Sequence, residues 1–452
     1  MIAAMMSKMR PASPLNELGT AFGLTGAALL FLQFLSSGRY ETLSGRIGID
    51  RTMGFHRVAA YFLLGFVLLH PLSYSATSFL SNPRAALNHL TGMLLSERLR
   101  TGVVAMAGLI VMVALATFRS RPFMRYEYWR VSHGMFAIAV TALALDHLFV
   151  VGNYSAEQPL RLLWFFFATV ALVAIGLVYI VRPWRMWRED WRVERVRPLG
   201  ERIWEMMLHG PETTRLRFRA GQFIWMTLAP HRPPFHDHPF SIASSPTDLP
   251  RLRLVIREAG DCTSGFGQIE PGTRVAVDGP HGSFVLPKGK EPVIMVAGGV
   301  GIAPLLGMLE EAAANADARS FRLLYAARSP SALAGLERLR ELQSRLDLSI
   351  QCVVEEDVEG SGCSVGPIGH MHVSRSLRGT QSKDVTCLVC GPAVMMEIVT
   401  DALLAQGVLA DTIHYERFDY AAGKGHIDRA RRREALLIFI VLLLGIVAFS
   451  LR

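Results

Sequence analysis

The stretch HRVAAYFLLGFVLLH, residues 56–70, is an apolar run closed at each end by histidine, and HGMFAIAVTALALDH, residues 133–147, repeats the arrangement at the same spacing of fourteen. In an α-helix, fourteen residues advance the chain about 21 Å and turn it through about 1400°, some 40° short of four full turns. The two histidines of each run therefore share a helix face, one near either side of a membrane core. Ionisable side chains inside a bilayer are costly and usually mark function. A lone histidine there is most simply a hydrogen-bonding member of a helix bundle, but a repeated spacing on two helices points to a set of ligands. Imidazole suits iron, copper and zinc. Two histidines are too few for a closed zinc site, and they suit the two axial positions of a haem iron whose porphyrin supplies the other four ligands.

Working outward, five segments have the roughly 20 apolar residues that a crossing helix needs: Gly19–Ser36, His56–Ala76, Thr101–Phe118, His133–Val151 and Leu160–Val181. A sixth, Ala435–Leu451, follows a long stretch of globular character. The second and fourth spans are separated by one span and so run in the same direction. His56 then lies level with His133, and His70 with His147. Two haems stacked about 20 Å apart would reach across most of a hydrocarbon core near 30 Å thick, a path for electrons. Asp146, beside His147, is read as facing the headgroups. No cleavable signal peptide is expected in Met1–Arg10.

The chain of 452 residues is 51% apolar with a net charge of +9. Nucleic acid is not the partner that this charge implies, because the arginines crowd beside the spans. Arg119, Arg121, Arg125 and Arg130 occupy one loop; Arg182, Arg185, Arg188 and Arg192 follow the fifth span; Arg429, Arg431, Arg432 and Arg433 precede the sixth. All three groups fall on one side by alternation, the cytoplasmic side by the positive-inside rule, and the globular part lies there with them. Lys8, Arg10, Arg84, Arg98 and Arg100 fall on the opposite side, so the rule holds only on balance. All five cysteines are in the globular part. Cys387 and Cys390 form a C-x-x-C without a second pair, and they read as strand residues in a reducing cytoplasm rather than zinc ligands.

Between Trp191 and Pro287 the chain shows strand-like alternation with frequent turns, as in RLRLVIRE and TRVAVDGPHG, the pattern of an antiparallel barrel. Within it lies HDHPFSIASSP, residues 236–246. EPVIMVAGGVGIAPLLGMLEEA, residues 291–312, reads as a strand, a glycine turn and a helix with Pro304 at its start. Glycines let a phosphate approach the backbone, and a helix amino end favours anions. FRLLYAARS, residues 321–329, and DVTCLVCGPAVMMEIV, residues 384–399, add further strands, the latter ending in CGP before a helix. Alternating strand and helix implies a parallel sheet with its ligand at the carboxyl ends of the strands.

HPFSIASSP, GPHGSF, AGGVGIAPLL and CGPAVMM occur in the order expected of the ferredoxin–NADP reductase fold. Joined to a membrane domain with doubled histidines, the chain resembles the NADPH oxidase and ferric reductase superfamily in a bacterial-type version, over roughly residues 19–420. The resemblance implies a multidomain fold: an α-helical transmembrane bundle, an antiparallel β-barrel FAD domain, an α/β nucleotide-binding domain and a C-terminal transmembrane helix. The expected boundaries are an N-terminal segment 1–18, a ferric-reductase-like domain 19–181 with two b-type haems, a linker 182–190, the FAD-binding barrel 191–288, the NAD(P)-binding domain 289–420, a basic linker 421–434 and the last span 435–451.

The resemblance also implies roles. Ser241 lies beside the reactive edge of FAD, with His238 at its phosphates or ribityl chain and Pro239 and Phe240 completing the motif. Thr263 matches the pyrophosphate-binding position. Gly298, Gly299, Gly301 and Pro304 belong to the dinucleotide turn, and Cys390, Gly391 and Pro392 lie near the nicotinamide. Tyr420, with Phe418 as second choice, is the aromatic cover of the flavin ring. Arg328 and Ser329 favour NADPH over NADH. The assigned catalytic residues are Ser241, Cys390 and Tyr420; the metal ligands are His56, His70, His133 and His147.

Two departures from the family matter. Members usually have one more helix before the first one here, and this chain has its extra span at the end, either filling that place or binding a partner subunit. Oxidases of the family carry a basic group about one turn past the outer histidine of the earlier helix, and here that position is Tyr74. The reading is electron transfer from cytoplasmic NADPH through FAD and two haems to oxygen or a ferric chelate outside, in a bacterial inner membrane among its lipids. The rivals are delivery to a quinone or partner protein and, as a remote third, a histidine-lined ion pathway regulated by nucleotide.

Overall fold

A computed structural model describes residues 4, 11–37, 48–118, 126–229, 236–259, 263–356, 362–417 and 425–452. Lys8, Arg10, Arg119, Arg121, Arg125, Phe418 and Tyr420 lie outside the described residues. The chain divides into a unit of Met1–Tyr40, Thr52–Ile180 and Arg432–Arg452 and a second of Glu41–Arg51 and Val181–Arg431.

The first unit is helical. Its helices are α1 (Pro14–Leu35), α2 (Ile49–Ser81), α3 (Pro83–Leu95), α4 (Arg100–Thr117), α5 (Tyr126–Val151) and α6 (Gln158–Gly176). A π-helical stretch covers Leu177–Val181, and α7 (Arg182–Arg188) belongs to the second unit. Among the described residues, six helices, one of them C-terminal, are long and apolar enough to cross a membrane. Many of their large apolar side chains point outward, among them Leu162, Phe166, Leu172 and Val441, as is expected where lipid rather than water surrounds the bundle. The short helix α3 is absent from the sequence reading. Asn82 caps it, accepting a hydrogen bond from the Ala85 N–H at 3.1 Å, and Pro83 takes its first position, where a missing N–H costs nothing.

The apolar half of the C-terminal helix α12 (His426–Ser450) packs into the core of the helical unit. Phe439 lies face to face with Phe62 at 3.8 Å between ring centres, and Phe439, Ile446 and Phe449 are buried with residues of α1, α2 and α6. Arg452, two residues past the helix, is held by charge. Arg452 donates to the Tyr154 hydroxyl at 2.6 Å and approaches Glu17 at 3.6 Å. Tyr154 in turn donates to Glu17, which is only 2% exposed. Removing one partner of a buried ion pair strands the other. Arg452→Ala is therefore expected to destabilise the helical unit by about 3 kcal/mol, read as a lowered melting temperature of the detergent-solubilised protein, with Glu17→Gln in the same background recovering part of the loss.

The second unit contains two sheets. The first comprises β1 (Trp191–Gly200), β2 (Ile203–His209), β3 (Phe223–Leu228), β4 (His238–Ser241), β5 (Arg251–Arg257) and β6 (Arg274–His281), all antiparallel in the order β4-β3-β6-β1-β2-β5. A closed barrel is not formed: the edge strands β4 and β5 meet through one isolated bridge, Ile242 to Leu254. The chain turns away immediately afterwards, where Ser245 and Asp248 close a capping box around a helical turn. The second sheet is parallel: β7 (Val293–Gly298), β8 (Phe321–Ala327), β9 (Leu348–Val354), β10 (Ser364–Val365), β11 (Thr386–Cys390) and β12 (Ile413–Glu416), in the order β10-β9-β8-β7-β11-β12. The helices α8 (Ile302–Ala314), α9 (Leu336–Gln343), α10 (His370–Ser376) and α11 (Ala393–Ala405) connect these strands. Strand order reverses at β7, so its carboxyl end and that of β11 open a crevice between outward-going connections. The helix α12 (His426–Ser450) starts inside the segment read as a basic linker.

Candidate functional site

In the helical unit, α2 and α5 bring the four histidines together in two pairs. The rings of His56 and His133 are 6.4 Å apart centre to centre, and those of His70 and His147 are 6.3 Å apart. A metal between two imidazoles needs two bonds of about 2 Å plus about 1 Å from each ring centre to its nitrogen, roughly 6 Å in all. Both gaps would admit a metal ion held between the two rings.

Neighbouring helices orient these rings. His70 Nδ1 lies 2.7 Å from the Gly19 carbonyl. A carbonyl only accepts, so Nδ1 carries the proton and Nε2 keeps the lone pair that binds a metal. His56 Nδ1 is 3.2 Å from the buried Ser36 hydroxyl. The Trp129 ring stacks on His133 at 5.2 Å. His147 Nδ1 is buried without a hydrogen-bond partner among the described residues and abuts α4 at Gly102, where an added Cβ would lie 2.5 Å away. Gly23 on α1 abuts His70 in the same way, at 2.7 Å. Tyr74 shares a hydrogen bond with Thr20 at 3.0 Å and sets its ring edge-on to His70.

The second unit has a cleft of about 750 Å³ at the carboxyl ends of the parallel strands, also lined by the β4 edge of the first sheet. His238, Pro239, Phe240, Ser241 and Thr263 line one part; Gly298, Gly299, Arg328, Gly391 and Pro392 line another. Strand β4 pairs with β3, Ser241 opposite Phe223 and His238 opposite Met226. The Ser241 hydroxyl is buried with no hydrogen-bond partner among the described residues. A buried hydroxyl of this kind marks a place where a bound polar group belongs. Thr263 Oγ1 accepts from the Ala259 N–H at 2.7 Å. Gly299 has φ of +52° and open space where a side chain would stand, so backbone alone faces the cleft there.

Gly301, Pro304, Ser329 and Cys390 do not line the cleft. A Cβ on Gly301 would lie 2.2 Å from the Cys390 carbonyl oxygen, and one on Gly391 would lie 3.0 Å from the Gly298 backbone. These glycines let the turns after β7 and β11 touch. Pro304 is buried in the first turn of α8, and Ser329 shares a hydrogen bond with Ser331 at 2.9 Å; neither lines the cleft. The Cys390 side chain is buried in the sheet. Burial first, and then the Glu416 carboxylate, hold its thiol well above the ordinary range, while burial pushes Cys387 up to about 12. Both thiols stay protonated within β11. Glu416, Arg417 and Glu355 also line the cleft, and the sequence reading missed them. Glu416 and Arg417 do carry a signal, an acid followed by a base where the strand IHYE ends.

Comparison with known proteins gives three matches in the same order. Residues 22–144 match the family described as ferric reductase like transmembrane component, residues 190–284 an FAD-binding domain and residues 295–401 an oxidoreductase NAD-binding domain. The chain is 27% identical over 240 residues to the reductase component of propane 2-monooxygenase from Rhodococcus jostii (strain RHA1), covering 50% of this chain and 62% of that one. It is 31% identical over 207 residues to vanillate O-demethylase oxidoreductase from Pseudomonas putida, covering 45% and 60%. The chain thus spans about three fifths of the length of these relatives. Among solved structures it is similar to the cytochrome P450 reductase GcoB of Amycolatopsis, at 22% identity over 52% of this chain and 70% of that one, with a TM-score of 0.46. It is also similar to flavohemoglobin from Malassezia yamatoensis, at 16% identity over 82% and 99%, with a TM-score of 0.49. Segments matching a ferric-reductase-like transmembrane component, an FAD-binding domain and an oxidoreductase NAD-binding domain thus follow one another along this chain, in the order that the resemblance to the NADPH oxidase and ferric reductase superfamily implies.

Proposed function

We propose that the protein carries electrons from NADPH, through FAD and two b-type haems, across the bacterial inner membrane to oxygen or a ferric chelate, with the reductase unit on the cytoplasmic side. The observation that carries this reading is the pair of histidine gaps, 6.4 and 6.3 Å, on two helices. His56 and His133 would hold the inner iron, and His70 and His147 the outer one. When bound, the flavin supplies exchange between hydride and single electrons, and each haem supplies a one-electron site.

The protein's own part is placement. The Gly19 carbonyl and Ser36 orient His70 and His56. Ser241 offers a hydroxyl to the reactive edge of the flavin, and Gly298 and Gly299 let the dinucleotide lie against backbone. Arg328 faces the cleft where a 2′-phosphate would be read, which supports NADPH. Aromatic cover of the flavin remains assigned to Tyr420, or to Phe418. The boundaries proposed for the FAD-binding and NAD(P)-binding domains are 191–288 and 289–420.

A pyridine haemochrome assay with flavin quantification tests the reading; two haems per FAD are expected, and a protein carrying only flavin overturns it. Ser241→Ala is expected to slow anaerobic flavin reduction roughly tenfold, the worth of one hydrogen bond of about 1.4 kcal/mol. An unchanged stopped-flow rate removes its role.

A second reading has its own support. Relatives such as propane 2-monooxygenase, reductase component, are named as parts of larger systems, and by analogy this chain would pass its electrons to a partner protein. Superoxide formed by the purified chain alone, in proportion to NADPH consumed, decides against it.

A further inference from the structure

We propose that a buried seam made by Arg253, Glu310 and Gly307 sets the spacing between the flavin-binding strand and the nucleotide-binding helix, which makes Arg253 a positioning residue for hydride transfer. The inference rests on the reading that Ser241 meets the flavin and the turn after β7 meets the dinucleotide.

Three contacts meet at this seam. The backbone of Arg253, on β5, is tied to the residues just after Ser241: its N–H donates to Ser244 Oγ at 3.1 Å, and its carbonyl accepts from the Ala243 N–H at 2.8 Å. Its guanidinium then reaches in two directions. Nη1 donates to Glu310 on α8 at 2.5 Å, and Nε lies 3.3 Å from Glu205 on β2. Finally, α8 touches the same strand end by backbone. A Cβ on Gly307 would lie 2.8 Å from the Ile242 carbonyl oxygen and 3.2 Å from that of Ser244. The helix that begins beside the dinucleotide turn is thus seated on the residues that follow Ser241.

Glu205 and Glu310 are 3% and 5% exposed. Arg197 also reaches Glu205 at 2.7 Å, and Arg338 reaches Glu310 at 2.9 Å. Buried ion pairs are weak contributors to stability, because desolvation offsets attraction; well-packed apolar side chains often do as well. What a guanidinium between two buried carboxylates supplies is direction, since its planar fork accepts few geometries. Hydride transfer needs that constraint, because an error of about 1 Å between reacting groups costs about 100-fold in rate.

The test uses the full purified chain and anaerobic stopped-flow reduction by NADPH, with rates expressed per bound FAD and the flavin–nicotinamide charge-transfer absorbance recorded. Arg253→Met is expected to slow hydride transfer about 10- to 100-fold and to weaken the charge-transfer band, with the nucleotide concentration for half-maximal rate little changed. Arg253→Lys should restore part of the rate. Glu310→Gln added to Arg253→Met should slow it no further, because the two share one contact. Gly307→Ala alters no charge and should slow transfer on its own, which keeps the test open if Arg253→Met does not retain FAD. Unchanged rates per FAD in Arg253→Lys and Gly307→Ala overturn the proposal. Ser241→Ala serves as the reference: if it too leaves the rate unchanged, the assignment of the site has failed, whereas a slow Ser241→Ala beside normal seam variants sinks the seam alone.

Discussion

His70→Ala is expected to yield a protein with half the haem and all of the flavin. His70 and His147 face each other at one level of the helical unit, so losing either would leave an iron held there with one of its two histidines. Removing a residue that merely orients a metal ligand costs about 10- to 100-fold in affinity or activity, and removing the ligand itself should cost more. Electron delivery to ferricyanide or oxygen should then fall by more than about 100-fold, while anaerobic reduction of the flavin by NADPH keeps its rate. The same result is expected of His147→Ala, and the reduced-minus-oxidised spectrum should keep the signal of the His56–His133 site in both variants. Full haem content in either protein contradicts the pairing of ligands.

Gly102→Val is the second large effect expected, and it concerns a residue with no chemistry of its own. A Cβ there would lie 2.5 Å from His147 Nδ1 and 2.8 Å from Cγ of the same ring, far inside van der Waals contact, so the imidazole must swing out of line with His70. Overpacking costs about 1–3 kcal/mol, and each 1.4 kcal/mol is about tenfold in a binding constant. Outer-haem affinity should fall about ten- to a hundredfold while the inner site and FAD remain. Gly23→Ala, pressing on His70 from α1, should act in the same direction. Gly65→Ala is the control: it lies on α2 between the two histidines, and an added Cβ meets nothing within 4 Å. Equal haem loss in that variant would mean that general weakening of the helix, not pressure on the ring, is responsible.

The glycines show where sequence reading stops. Gly102 and Gly23 look like ordinary small residues in apolar spans, and only the crossing of α4 and α1 with the histidine helices gives them a task. Gly301 reads as part of a phosphate-binding turn, yet it is the Cys390 carbonyl that crowds it. The barrel expected from alternation is a sheet joined at its edges by a single bridge, because the turn that ends β4 is a matter of local capping and not of periodicity. The helix α3 was missed although Asn82-Pro83 is a capping signal, since an apolar-span search looks for length and passes over a thirteen-residue helix.

The sequence alone determined the six membrane-length helices, the direction shared by the second and fourth, the histidine faces and the order of the flavin and nucleotide segments. All of these follow from periods and lengths that neighbouring residues impose on one another: 3.6 residues per helical turn, two per strand repeat and a fixed bilayer thickness. Tertiary structure alone decided which ring abuts which glycine, that α12 packs into the core of the helical unit, and that Arg253 joins β2, β5 and α8. Those contacts join residues far apart in the chain. Their distances are set by how whole elements pack, at a density that leaves no slack of even one methyl group, and no local pattern records them.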